Sequence, residues 1–164
     1  MDILIRPATE ADLDAAGEVT VEAFVGDGHT DPAGPYAALL RDARRRTAEA
    51  ELLVAVDPAD QRVLGCVTFA VGGTPWADIA TPEEGEIRML AAAASARGRG
   101  VGEALVRASL ARSRELGLAG MAFSTRPGMR AAHRIYERIG FQRAPERDWR
   151  PAPEVELWVY ALRF

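Results

Sequence analysis

Between an apolar run and a helix-like run the chain reads Arg97-Gly98-Arg99-Gly100-Val101-Gly102, and this hexapeptide constrains it more than any other stretch. Glycine brings no side chain to a core and costs backbone entropy. Three in alternation therefore mark a place where the main chain turns tightly or is approached closely. At a helix N-terminus several amide N–H groups have no intrahelical acceptor, and the helix dipole adds partial positive charge. Arg97 and Arg99 bring full charges to the same spot, so a phosphate or pyrophosphate is the natural guest. The plainer alternative is a flexible strand-to-helix turn.

Two familiar phosphate sites do not fit. A Walker loop needs Gly-Lys-Ser/Thr, and all 20 basic residues here are arginine. A dinucleotide fingerprint needs Gly-x-Gly-x-x-Gly in a parallel βαβ unit, whereas these glycines alternate. Charge narrows the partners further. With 24 acidic against 20 basic residues the net charge is −4, so neither nucleic acid nor an anionic membrane surface is expected as a partner. The lone Cys66 excludes an internal disulfide, and no Cys/His spacing suits a metal. Without a leader-like start or a long apolar run, the cytoplasm is the expected address, and the lysine-free, alanine-rich composition suggests bacterial origin. At 164 residues, 48% of them hydrophobic, residues 1–164 read as one domain.

The periodicities give the order β-α-α-β-β-β-α-β-α-β-β. Ile3–Ile5 is a strand, followed by a helix from a cap at Thr9–Asp12 to about Phe24. The ten-residue loop from Gly26 to Pro35 leads to a second helix over about 36–49. Leu52–Val56 and Val63–Val71 form a hairpin, and Glu86–Ala92 is the strand before the glycine turn. A helix follows to about Leu116, then a strand over Met121–Thr125, a helix over Gly128–Arg138, an extended piece from Phe141 and a last strand over Val155–Phe164.

The glycine turn fits the Arg/Gln-x-x-Gly-x-Gly/Ala pattern at every defined position. About 30 residues on, Ala132-His133-Arg134-Ile135-Tyr136-Glu137-Arg138-Ile139-Gly140-Phe141 fits Ala-x-x-x-Tyr-Glu-x-x-Gly-Phe. In these two motifs the chain resembles the GCN5-related N-acetyltransferases. The resemblance implies a mixed α/β fold with a mostly antiparallel central sheet flanked by helices. It also implies acetyl-CoA as cosubstrate, with Arg97, Gly98, Arg99, Gly100, Val101, Gly102 and Glu103 around its pyrophosphate. Its arm would then pair as an added strand with Leu90, Ala91 and Ala92, in an opening between the strands ending near Ala92 and starting near Met121. Two departures stand out: Met129 where many members have Asn, leaving Ser124 or Thr125 to supply that polar contact, and Ala93-Ala94 where many have Asp-Pro.

The implied reaction is direct acetyl transfer to an amine in a ternary complex. A backbone N–H near Leu90 would polarise the thioester carbonyl. Tyr136 holds the position of the family's general acid, although its place on the apolar stripe of its helix also suits a packed core residue. Glu86 is the preferred general base, the alternative being a solvated charge at a strand end beside Glu83 and Glu84. His133 reads as a surface residue and Cys66 as a small buried hydrophobe. Aromatic and acidic groups suit a primary amine, which nominates His29, Tyr36, Trp76 and Trp149 for the acceptor, whether a small-molecule amine or a peptide N-terminus. A homodimer stays open. Two other readings are a non-catalytic acyl-CoA sensor and a phosphate-binding structural module.

Overall fold

The computed structural model describes residues 3–26, 28 and 30–164. Among these the chain runs β1 (Leu4–Pro7), α1 (Leu13–Gly26), α2 (Pro35–Arg41), α3 (Ala43–Glu49), β2 (Glu51–Val56), β3 (Val63–Val71), β4 (Glu84–Ala92), α4 (Val101–Glu115), β5 (Gly120–Thr125), α5 (Arg130–Ile139), β6 (Gln142–Arg143), β7 (Trp149–Ala152) and β8 (Val155–Arg163). The strands lie in the order β1-β2-β3-β4-β5-β8-β6, and β7 pairs with the first half of β8. Every pairing is antiparallel except β4 with β5. This is the mixed, mostly antiparallel sheet that the two motifs implied.

Alternation along the strands sends their side chains to two helical layers. On one face Leu53, Ala55, Val67, Phe69, Ile87, Met121 and Phe123 pack against Val101, Leu105 and Leu110 of α4 and Tyr136 of α5. On the other face Leu52, Val54, Val56 and Cys66 meet Leu13 and Ala16 of α1 and Ala43 of α3. Cys66 is buried, as its apolar run suggests. One glycine lets the layers close: a Cβ at Gly65 would stand 2.5 Å from Val101 Cγ1 and 2.6 Å from the Ala91 carbonyl oxygen. Bare backbone there allows the start of α4 to sit directly on β3 and β4.

The local departures from the sequence reading have physical causes. The expected helix over 36–49 breaks at Asp42, whose ψ of 70° leaves the helical region. Its carboxylate instead caps α3 by accepting the Arg45 amide at 3.1 Å. β7 was not foreseen because it contains Pro151; on a strand paired along one side only, the missing N–H costs nothing. His133 is buried rather than on the surface, packed between Trp158 and the Tyr136 and Tyr160 rings.

At the first turn, Asp12 and not Thr9 is the hub. Its carboxylate accepts the Arg6 guanidinium at 2.6 Å, the Thr9 amide at 2.7 Å and the Thr9 hydroxyl at 2.9 Å. The Arg6 hydrogen bond, helped by both Thr9 donors and opposed by burial, holds the Asp12 pKa down to about 2. A carboxylate whose pKa falls on folding stabilises the native state above its unfolded value near 4, and that contribution disappears as pH falls from there toward 2. Asp12→Asn is therefore expected to cost about 1–2 kcal/mol at pH 7, after allowance for solvent screening. Denaturant melts at pH 7 and pH 2.5 check this, since the gap between variant and parent should narrow at the lower pH.

Candidate active site

The glycine turn is built as an amide cradle. Gly98 and Gly100 take φ of +81° and +77°, in the left-handed region that glycine enters without strain. Gly100 caps α4, and the first bond of its ladder runs from the Ala104 amide to the Gly100 carbonyl at 3.0 Å. The amides of Val101, Gly102 and Glu103 precede that bond. A Cβ at Gly98, Gly100 or Gly102 would meet nothing within 4 Å, so the space beside this backbone is open. Close packing within the fold does not explain these three glycines; positive φ accounts for Gly98 and Gly100 and leaves Gly102 without a reason inside the fold. Arg99 reaches Asp57 at 3.6 Å, Arg97 is exposed, and the Glu103 carboxylate is engaged by Arg107 and Arg138. The charge of Glu103 is thus spent within the protein, while its amide precedes the first bond of the helix.

β4 and β5 are paired only at Glu84 with Gly120 and at Gly85 with Met121. Beyond that point they part, and the β5-facing edge of the rest of β4 opens onto a gap. A bulge sits at the same height. Between the pairs Thr68–Arg88 and Cys66–Ala91 two steps of β3 are matched by three of β4, and Met89 takes φ +55°. Such a conformation costs a non-glycine residue of order 1–2 kcal/mol. Burial of the Met89 side chain with Val21, Leu40, Ala70 and Trp76 offsets it. The extra residue leaves a peptide group without a match on β3.

The gap widens into a cavity of about 650 Å³, a size that suits a small-molecule substrate. Glu86 lines it from one face of the sheet and Tyr136 from the helix layer on the other. The splay is what allows groups from opposite faces to share one space. Glu86 is only 1% exposed, which removes the solvated strand-end reading. Its Oε1 accepts the Ile79 and Ala80 amides at 2.8 and 2.9 Å. Burial pushes its pKa up, partly offset by those two amides. The Tyr136 ring lies edge-on to Phe123 at 4.6 Å, and its hydroxyl has no hydrogen-bond partner among the described residues. Burial, with the neighbouring Tyr160, pushes that phenol up to about 12, so it stays protonated across the physiological range. Tyr160 by contrast donates to Glu137 at 2.9 Å. Asp31 and Asp78 add acidic groups to the lining, Arg88 and Arg126 basic ones, and Asp78 pairs with Arg88 at 3.3 Å.

The acetyltransferase (GNAT) family model matches residues 17–141. The chain belongs to the GNAT acetyltransferases. No curated protein sequence matches it. Among solved structures it is similar to a GCN5-related N-acetyltransferase from Kribbella flavida, at 25% identity over 99% of this chain and 98% of that one, with a TM-score of 0.73. A GNAT family acetyltransferase from Staphylococcus aureus Mu50 shares the fold at 12% identity, over 98% of each chain, with a TM-score of 0.75. Another from Brucella melitensis, solved in complex with acetyl-CoA, is 23% identical over 99% of this chain and 88% of that one, with a TM-score of 0.67.

Within this GNAT fold the expected residues sort clearly. Glu86, Leu90, Tyr136, Tyr36 and Trp149 meet in the cavity. Ala91, Ala92 and the Arg97–Glu103 turn lie outside its lining, at the far end of β4 and the start of α4. Trp76 does not join them. It is buried beside Met89 and Leu40, with its indole N–H toward Glu49 at 3.4 Å, and serves the packing beneath the bulge. His29 lies outside the described residues. Met129 lines the cavity, as do Ser124, which accepts the Trp149 indole N–H at 2.9 Å, and Thr125, which lies 3.3 Å from His133 Nε2. Sequence reasoning did not single out Arg88 or Arg126, each a lone charge in a strand or loop without a motif around it. Among the described residues no three His, Cys, Asp or Glu side chains gather as a metal site, and no helix is long and apolar enough to cross a membrane.

Proposed function

We propose that this chain transfers the acetyl group of acetyl-CoA to a primary amine by direct attack in a ternary complex. One observation carries the reading: the parted strands bring a buried carboxylate, Glu86, and the phenol of Tyr136, without a hydrogen-bond partner among the described residues, into one cavity beside an unpaired strand edge. The turn from Arg97 to Glu103 suits the pyrophosphate, and Leu90, Ala91 and Ala92 suit the arm as an added strand. Acetyl-CoA supplies a thioester carbon open to attack and a thiolate that must be protonated as it leaves.

The chain's own groups match the two proton transfers. Tyr136 is protonated at working pH and donates toward the sulfur side. Glu86, ionised above its raised pKa, accepts the proton that the attacking nitrogen gives up, directly or through water. Asp31 and Asp78 favour the approach of an ammonium group, and the Tyr36 and Trp149 rings offer it aromatic faces.

Thiol release from acetyl-CoA across a panel of amines tests the reading: turnover with at least one amine supports it, and tight CoA binding without turnover on any overturns it. Glu86→Gln is expected to lower kcat/KM about tenfold, less than the roughly hundredfold or more a general base usually contributes, because an amine already neutral can attack unaided. It should also remove from the kcat profile the acid limb that titrates with Glu86, leaving only that of the amine itself. The Glu86 limb lies above the ordinary carboxylate range, since activity needs the ionised form of a group whose pKa is raised.

A further inference from the structure

We propose that Arg147 is a positioning residue for Glu86, acting on its carboxylate through the single peptide group that joins Ile79 to Ala80. This rests on the reading of Glu86 as the proton acceptor. Arg147 Nη2 donates to the Ile79 carbonyl oxygen at 3.0 Å. The N–H of that same peptide, on Ala80, donates to Glu86 Oε1 at 2.9 Å. A cation bonded to a carbonyl polarises the peptide and makes its N–H a stronger donor. Arg147 therefore strengthens a bond to Glu86 without touching it.

Arg147 is itself held by Glu84, two residues before Glu86 on the same face of β4. Its two nitrogens reach the Glu84 carboxylate at 2.8 and 3.1 Å, a bidentate fork. Glu84 Oε1 also accepts the Thr81 amide at 3.0 Å. Residues 79–81 are thus pinned from both sides, by Glu86 at one end and by the Glu84–Arg147 pair at the other. Burial alone would push the Glu84 carboxyl up, but Arg147 and Thr81 more than offset it and hold it below its usual range. Glu84 is consequently ionised where Glu86 titrates, so the pair sets a negative and a positive charge near Glu86.

The opposite signs of the pair make the proposal testable. The other charged or titratable groups facing Glu86 are Asp78 on the segment before β4, Arg88 on β4, Asp31 and Arg126 around the cavity, and Tyr136 from α5. The variants below leave all of these in place. Arg147→Gln removes the cation and the donor to Ile79, and is expected to raise the pKa of Glu86 by about half a pH unit or more. Glu84→Gln leaves the cation unopposed and is expected to lower it by a similar amount. Arg147→Lys keeps the charge without the fork and should fall between Arg147→Gln and the parent.

Carboxyl ¹³C NMR titration reads the pKa directly, with the Glu86 resonance identified by its loss in Glu86→Gln. The acid limb of the pH–rate profile reads it a second time. Opposite shifts in Arg147→Gln and Glu84→Gln, with Arg147→Lys set apart from the parent, support the proposal; shifts of the same sign or none, or an Arg147→Lys value equal to the parent's as charge alone would give, overturn it. If Arg147→Gln does not fold, Arg147→Lys and Glu84→Gln still carry the comparison. Should the NMR shifts appear while Glu86→Gln leaves the rate profile intact, the positioning role stands and the role of Glu86 as base falls.

Discussion

Tyr136→Phe is expected to lower kcat by about 10²-fold while leaving the fold as stable as before, within about 1 kcal/mol. The magnitude follows from the loss of a general acid, which contributes at least that much when the leaving group must be protonated. The unchanged stability follows from the structure. The hydroxyl has no hydrogen-bond partner among the described residues, whereas the ring is held edge-on against Phe123 and close to Tyr160. Phenylalanine keeps those ring contacts and strands no buried partner, so the usual penalty for deleting one half of a hydrogen bond does not arise. A core tyrosine with a satisfied hydroxyl would behave in the opposite way, losing stability and keeping rate. Thermal melts and steady-state kinetics on one preparation separate the two. A variant with kcat within threefold of the parent would remove Tyr136 from the chemistry.

Gly102→Val is expected to weaken CoA binding by about 10²-fold, again with little change in stability. Gly102 has neither a positive φ nor a neighbour that a Cβ would strike, so the protein alone tolerates a side chain there. In the first turn of a helix the replacement even removes backbone freedom from the unfolded chain. The cost falls on a ligand that must approach the amides closely. It amounts to about 2.7 kcal/mol, the equivalent of that hundredfold change in affinity. Calorimetric titration of CoA is the measurement. Gly100→Val makes an instructive control because its φ of +77° adds backbone strain to any steric effect on the ligand. If Gly102→Val binds CoA as tightly as the parent does, the phosphate is held elsewhere.

Much of this was legible in the residues. The glycine turn and the Tyr136 motif are local: their spacing is set by a helix start and a helix face, so they read directly from the chain, as does the alternation that makes β3 and β8 strands. The burial of Glu86 was not legible. An acidic residue beside Glu83 and Glu84 looks solvated until the Ile79–Ala80 peptide folds over it, a contact fixed by tertiary structure. The same holds for Trp76, whose aromatic ring suited an acceptor site on composition but went under the bulge at Met89. His133 misled for a similar reason, since helix periodicity does not reveal that the first residues of β8 bring Trp158 over its ring. Arg147 carried no signal at all, its meaning depending on partners more than 60 positions away.

The short seam between β4 and β5 has a mechanical meaning for the molecule. Two matched residue pairs join a plate of four strands to a second plate made of β5, β8 and their edge neighbours, with α4 and α5 bracing the join. Whatever lies strand-like in the cleft also acts as a clasp between the plates, and its binding energy enters the cooperativity with which they melt. Catalysis and mechanical integrity would then share one line of backbone hydrogen bonds, a thrifty use of a sheet that is otherwise cut almost in half.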